Sequence, residues 1–121
     1  MKIVLSKLPR SGWWKNGVPK YFDNHVNKSV PFYKEGHNII CKLSSFFVSE
    51  NFNIYDLGCS TGTLLKKIDT YNSLNSMKIH GIDVEKKMLQ QAKKKLSNCK
   101  NKIILNNSSI NNLKFKNSEL I

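Results

Sequence analysis

Asp56–Leu57–Gly58–Cys59–Ser60–Thr61–Gly62–Thr63 is the stretch on which the fold is decided. It follows Phe52–Asn53–Ile54–Tyr55, a short β-prone run, and leads into Leu64, Leu65 and Ile68, which recur at helical spacing until about Asp69. A strand that turns through small residues into a helix is the opening unit of a parallel α/β sheet. Small residues at such a turn let the backbone approach a ligand, and the start of the helix presents N–H groups without intrahelical partners.

The same alternation continues outward from this unit. Residues 77–83 predict a second strand and residues 85–96 a second helix, with Met88, Leu89, Ala92 and Leu96 on one face. Residues 102–105 predict a third strand, and Glu119–Leu120–Ile121 resembles the beginning of a fourth. Upstream, residues 32–49 predict a helix in which Ile39, Ile40, Leu43, Phe46 and Phe47 fall near one stripe. Strands alternating with helices predict an α/β fold, a Rossmann-like doubly wound parallel sheet with right-handed crossovers. Ligand-binding sheets of this kind ordinarily need five or more strands and roughly 200 residues. The 121 residues therefore read as an N-terminal half, three to four strands over 32–121, behind an N-terminal arm over 1–31. The arm holds Trp13–Trp14 and all three prolines but little periodicity, and its aromatics are expected to pack on the domain.

Three chemistries compete for the glycine turn. Gly58–Cys59–Ser60–Thr61–Gly62 fits the G-x-S-x-G elbow of hydrolases, with Ser60 as nucleophile and Asp69 and His80 following in the required order. His80, however, falls inside the second strand signal, where a triad histidine does not belong. A dinucleotide site wants G-x-G-x-x-G, and here Ser60 and Thr63 stand at the second and third glycine positions. The third reading includes Asp56, a carboxylate two residues before the first glycine, which suits a ligand with a positively charged end and no pyrophosphate.

Asp83 supplies the second half of that reading. It ends the second strand about 20 residues after the turn, where a carboxylate can accept hydrogen bonds from both ribose hydroxyls. Its bland alternative is an N-cap for the helix that begins near Glu85. With Asp56 and the glycine turn beside it, an adenosine-type ligand without phosphates fits both acids, and S-adenosylmethionine has that pattern of sulfonium, amino group and ribose.

Composition narrows the class. The chain carries 20 Lys plus Arg against 8 Asp plus Glu, a net charge of +12, yet its only arginine is Arg10. An acidic partner is electrostatically favoured, but phosphate recognition tends to use the guanidinium fork, and the Lys, Asn and Ile bias also matches an AT-rich genome. Apolar runs such as Ile39–Ile40–Cys41 are three residues long, far from the about 20 that a membrane helix needs. The start, Met1 to Leu5, is stopped by Ser6, Lys7 and Pro9, so no signal-peptide core is predicted and a cytoplasmic protein is the expectation. Cys41, Cys59 and Cys99 contain no C-x-x-C pair and read as buried reduced thiols. His25 and His37 lack a third ligand for a metal, and Lys93–Lys94–Lys95 reads as a solvated face, with tRNA contact the minority reading.

Asp56–Leu57–Gly58–Cys59–Ser60–Thr61–Gly62 with Gly81–Ile82–Asp83 resembles motifs one and two of class I S-adenosylmethionine-dependent methyltransferases. More narrowly, Phe22–Asp23–x–His25–Val26, Ser29–Val30–Pro31–x–Tyr33 and Tyr55–Asp56–Leu57–Gly58–Cys59–Ser60 are similar to the carboxy-S-adenosylmethionine synthases, which serve 5-oxyacetyl modification of the tRNA wobble uridine. The resemblance implies an enzyme that binds S-adenosylmethionine or its carboxylated derivative. It implies that Tyr33 reaches the cofactor and that Gly58, Cys59 and Ser60, within the Asp56-to-Gly62 motif, line its methionine side. Asp83 and Val84 would take the ribose and the adenine edge. At the position of the family's Asp-Ile pair stand Ser109 and Ile110, which removes one carboxylate acceptor for the adenine amino group. The family's arginine for the extra carboxylate and its asparagine after strand four would lie beyond Ile121, so the transferred group, methyl or carboxyl, stays open. The alternative from a different class is a non-catalytic binding half-domain that pairs with another chain or a tRNA, and the open sheet edge of a half-sheet favours self-association.

Overall fold

A computed structural model describes residues 18–47, 50–72 and 76–115. In chain order the elements are α1 (Val18–Ser29), α2 (Tyr33–Phe47), β1 (Asn53–Leu57), α3 (Thr63–Tyr71), β2 (Lys78–Asp83), α4 (Lys86–Lys95) and β3 (Lys102–Asn107), then a 3₁₀ turn at Ile110–Asn112. The strands order β1-β2-β3 and are parallel, with Ile54 opposite Ile79 and Ile79 opposite Ile103. Trp13–Trp14 and the strand signal at 119–121 lie outside the described residues.

Each crossover carries the chain one strand further in the same direction. Right-handed crossovers taken in one direction put their helices on one face of the sheet, and α3 and α4 pack on each other and on β2. That face holds the core: Ile54 and Ile79 from the strands, Leu65 and Ile68 from α3, Leu89, Ala92 and Leu96 from the α4 region. Leu65, Ile79 and Ala92 have no exposed surface, and burying a large aliphatic side chain contributes about 1.5–3 kcal/mol. Gly81 is where the sheet and α3 come closest. A Cβ there would meet Leu65 Cδ1 at 2.6 Å, Leu105 Cδ2 at 2.8 Å and Cys59 Sγ at 2.9 Å, so only hydrogen fits. On the opposite face Tyr55 stacks on His80, ring centroids 4.3 Å apart, and Phe115 meets Tyr55 edge-on at 5.2 Å.

Several sequence expectations need correction. Residues 18–29, read as part of an N-terminal arm with little periodicity, form the helix α1, whose Val26 is buried. The apolar stripe of α2 is not the face it buries: Ile39, Leu43, Phe46 and Phe47 are more than half exposed, while Cys41 and Ser44 face the interior. The physical reason is that α2 packs on α3 through its small residues, where Ser44 Oγ accepts from Asn72 Nδ2 at 3.1 Å. Cys41 and Cys59 are buried free thiols, whereas Cys99 is only partly buried.

Asp69, a triad candidate from sequence order, is instead the tie at the far end of the sheet. Its carboxylate, 3% exposed, accepts the Asn101 N–H at 2.8 Å, Asn101 Nδ2 at 2.9 Å and the Lys100 N–H at 3.1 Å. Asn101 Oδ1 in turn accepts the Met77 N–H at 3.2 Å, so α3 holds the entries of both β2 and β3. Burial alone would raise the Asp69 carboxyl, but the hydrogen bonds from Asn101 and Lys100 win and hold it below the usual 3.8. Its stabilising contribution is therefore complete above the unfolded value near 3.8 and is lost as the pH falls through the lower folded value. Asp69→Ala strands these buried donors and is expected to cost about 2–4 kcal/mol in urea denaturation. A loss below about 0.5 kcal/mol would mean that the tie is redundant.

Candidate functional site

The three strands end side by side at Leu57, Asp83 and Asn107, and the glycine turn folds over that end. The Gly58 and Cys59 N–H groups both donate to Ile82 O, at 2.8 and 2.9 Å, which bends the chain back across β2. Gly58, Ser60 and Gly62 all have positive φ, +86°, +53° and +75°. Glycine adopts this region freely; for Ser60 the left-handed conformation costs on the order of 1 kcal/mol or more. The offset is visible: the Ser60 N–H donates to Asp83 Oδ2 at 2.8 Å, a charge-assisted bond of the stronger class.

Asp83 serves more than that amide. Its Oδ1 accepts the Glu85 N–H at 2.8 Å, opening the turn into α4, and its main-chain oxygen accepts the Ser108 N–H at 3.2 Å and Asn107 Nδ2 at 2.9 Å. One residue thus joins the turn after β1, the start of α4 and the end of β3. The capping alternative raised for Asp83 holds in modified form, because its bond goes to Glu85, itself the N-cap position of α4. A carboxylate has roughly four acceptor positions, so two amides leave room for ligand hydroxyls.

Asp56 ends one strand over. Its carboxyl is raised from 3.8 to about 6, by burial first and by the Asp83 charge second. Tyr33, the first residue of α2, has its phenol pushed up by burial and then by Asp23 and Asp56, so it stands in the field of both acids. Cys59 is buried, and burial first and then the Asp56 and Asp83 charges raise its thiol to about 12, which makes it a packing group and not a nucleophile.

Beside these residues a cleft of ≈ 380 Å³ opens over the end of β2, lined by Gly58, Ile82, Asp83, Val84, Glu85, Ser108 and Ile110. A Cβ at Gly58 would meet nothing within 4 Å, so this floor faces open space. Gly58, Asp83, Val84 and Ile110 from the sequence reading line the cleft. Cys59 and Gly62 lie beneath it, with Gly62 pressed against Leu96, and Ser60 bonds Met88 Sδ at 3.7 Å. Ser109 caps the 3₁₀ turn by accepting the Asn111 N–H, and its neighbour Ser108 lines the cleft. The missed residues are Ile82, Glu85 and Ser108, adjacent to positions already singled out, and Asp23 of α1. The Asp23 carboxylate accepts hydrogen bonds from the Thr61 and Thr63 hydroxyls and pairs with Lys95. Lys95 is therefore not part of a solvated face, unlike the exposed Lys93 and Lys94.

The hydrolase elbow does not assemble: Ser60 bonds Met88, His80 bonds Asn53 at 3.0 Å and Asp69 bonds Asn101. Among the described residues no three His, Cys, Asp or Glu side chains gather as a metal site, and no helix is long and apolar enough to cross a membrane.

Comparison with known proteins agrees with the arrangement of strands, turn and acids. The family model described as methyltransferase domain matches residues 54–120, more than half of the chain. A carboxy-S-adenosyl-L-methionine synthase of Staphylococcus epidermidis is 43% identical over 100 residues, covering 83% of this chain and 42% of the relative. One from Sulfurimonas denitrificans is 39% identical over 123 residues, covering 98% of this chain and 50% of the relative. The chain thus spans about half the length of the curated relatives it matches. Among solved structures, the plantazolicin methyltransferase BpumL in complex with SAH superposes with a TM-score of 0.58 at 22% identity, over 85% of this chain and 39% of that one, which shows the shared fold. With its parallel strands, glycine turn and strand-end acids in the matched segment, the chain belongs to the methyltransferase domain family.

Proposed function

We propose that this chain is the S-adenosylmethionine-binding part of a transferase akin to the carboxy-S-adenosylmethionine synthases, a cytoplasmic enzyme serving tRNA wobble-uridine modification. One observation carries the cofactor reading. In a chain of net charge +12, the cleft is lined by Asp83 and Glu85 and, among the described residues, by no lysine or arginine. A pyrophosphate would find no counter-charge there, whereas a ribose and a cationic amino-acid end would find carboxylates.

Each residue then has a role that follows from its place. The remaining acceptor positions of Asp83 take the ribose hydroxyls, and Val84 and Ile110 give the adenine an apolar slot closed at its edge by Ser108 and Ser109. The left-handed turn Gly58–Cys59–Ser60, held by Gly62, keeps its backbone flat beneath the methionine portion. Asp56 faces the ammonium group, with Tyr33 at the same end. The cofactor supplies an activated carbon on a sulfonium, and the protein's work is alignment, which can account for much of such a barrier. The relatives' names support the carboxylated derivative as a ligand; methyl and carboxyl transfer use the same half-site.

A second reading, a binding half-domain that associates with another copy or chain, has its own observation. Among the described residues β1 has a sheet neighbour on the β2 side only, and beside it an apolar cleft of ≈ 460 Å³ is lined by Ile40, Leu43, Phe47, Leu57 and Leu64. Open apolar faces next to an unpaired strand edge favour association. Sedimentation of the 121-residue chain should show mass rising with concentration; a strict monomer would set this reading aside.

Titration calorimetry with S-adenosylmethionine should give saturable heat. Asp83→Ala is expected to weaken binding at least about a hundredfold, whereas Ser60→Ala, which acts through its backbone, should stay within about threefold. Equal losses in both would mean that the turn is not read through its backbone. The pH dependence has a definite sign. The Asp56 carboxyl in the free protein titrates at about 6, and a cationic ligand requires it ionised, so affinity should fall as the pH is lowered from 7 to 5. Asp56→Asn should bind more weakly at pH 7 and lose that slope; an unchanged slope would remove Asp56 from the ammonium contact.

A further inference from the structure

The helix α1 was invisible in the sequence pattern, yet it makes a dense polar contact with three other elements. Asp23 Oδ1 accepts the Thr61 hydroxyl and, at 3.1 Å, the Thr63 hydroxyl; Asp23 Oδ2 pairs with Lys95 Nζ. Lys95 Nζ also donates to Thr61 Oγ1 at 3.0 Å and Thr63 Oγ1 at 2.7 Å. Four side chains from α1, the glycine turn, the start of α3 and the end of α4 thus form one closed network. Each hydroxyl donates to the carboxylate while accepting from the ammonium, which leaves no lone donor. The ion pair is partly sheltered, the Lys95 and Asp23 side chains being 27% and 41% exposed. Burial raises the Asp23 carboxyl, and the contacts from Lys95, Thr61 and Thr63 outweigh it, so Asp23 stays ionised well into acid.

Position gives this network its consequence. Thr61 lies one residue after Ser60, whose N–H is bound to Asp83, and Thr63 begins α3. On the other side α1 ends at Ser29, four residues before Tyr33, the first residue of α2 and the one that the sequence reading assigned to the cofactor. The link between them is short and turned, with Phe32 at φ +56° and the Gly36 N–H bonded to Phe32 O. Wherever Asp23 docks, Tyr33 follows.

We propose that Asp23, paired with Lys95, is a positioning residue for the cofactor: it docks α1 on the Thr61–Thr63 hydroxyls and thereby sets Tyr33 against the glycine turn. The inference deepens the S-adenosylmethionine reading and rests on it. Asp23 itself touches no ligand in this account. It works through two intermediaries, the turn it braces and the tyrosine it carries. A bare ion pair at this exposure would contribute little; the two hydroxyls, shared by both charges, are what give the pair one geometry.

The test is calorimetry of the full chain with S-adenosylmethionine. Asp23→Asn retains the shape and removes the charge, and is expected to weaken binding about tenfold. Lys95→Met should do the same, and the double variant should be no worse than either single one, since all three lose the same dock. Lys95→Arg, which restores the charge, should recover affinity to within about threefold of the parent. If Asp23→Asn fails to fold, the Lys95→Met and Lys95→Arg pair makes the same comparison from a partly exposed position. A general structural role would lower the melting temperature of Lys95→Met without changing its affinity, and that result overturns the proposal. Parent chain that binds the cofactor while Asp23→Asn and Lys95→Met bind within twofold of it also overturns the proposal and leaves the cofactor reading standing. No heat from the parent chain overturns the cofactor reading and this inference together.

Discussion

The turn after β1, the start of α4 and the end of β3 all hang from the Asp83 carboxylate and its main-chain oxygen. The two carboxylate oxygens hold the Ser60 and Glu85 amides, and the carbonyl holds Ser108 and Asn107. Parallel strands bond laterally along their length, but nothing in a sheet fixes the loops that leave it. Here one side chain at the end of the middle strand does so for three loops at once. The energetic logic is that of a charged acceptor meeting N–H groups that would otherwise lack partners, and such bonds are among the stronger ones a protein makes. The left-handed backbone of Ser60 persists because this acceptor over-determines it.

That arrangement creates an electrostatic tension with Asp56. Burial, and then the Asp83 charge beside it, raise the Asp56 carboxyl to about 6, while the Asp83 carboxylate accepts two amides. The remainder of the chain is strongly cationic, yet three of its lysines are engaged away from the cleft: Lys95 with Asp23, Lys66 with Cys99 Sγ at 3.8 Å, Lys67 with Asn38 at 3.3 Å. A buried acid whose charged form is disfavoured is a place where an incoming cation lowers the energy of the free protein. The surface charge and the site charge are therefore opposite, and total charge is a poor guide to what the cleft accepts.

Much of the core was legible in the sequence because its signals are periodic. The three strands fall within two residues of their expected bounds, and the turn, Asp83, Val84 and Ile110 fall where the cleft is. Ser109 lay one position from Ser108, the residue that lines it, because residues next to each other in a loop are not separated by any periodicity. Two features were illegible for different reasons. The helix α1 reads VPKYFDNHVNKS, polar and aromatic, and among its described side chains buries only Val26; what holds it down is Asp23 on two threonines and a lysine, a contact spanning 72 residues. The α2 stripe was clear, but periodicity reports which face is apolar and not which is covered, and the covered face is that of Cys41 and Ser44.

The cleft and the open flank of the sheet depend on different bonds. The cleft residues are tied to each other across β1, β2 and β3 by Asp83 and Asn107 and braced by Asp69 and Asn101 at the opposite end. The apolar flank, Ile40, Leu43 and Phe47 beside Leu57 and Leu64, is also lined by Asp56, which does not line the cleft. Whatever covers this flank adds to the burial of Asp56 while leaving Asp83 and its amides alone. Covering it would therefore push the Asp56 carboxyl further up unless a cation arrives with the cover. The charge state of Asp56 is therefore linked to the burial of the flank, while Asp83 keeps its own amide partners.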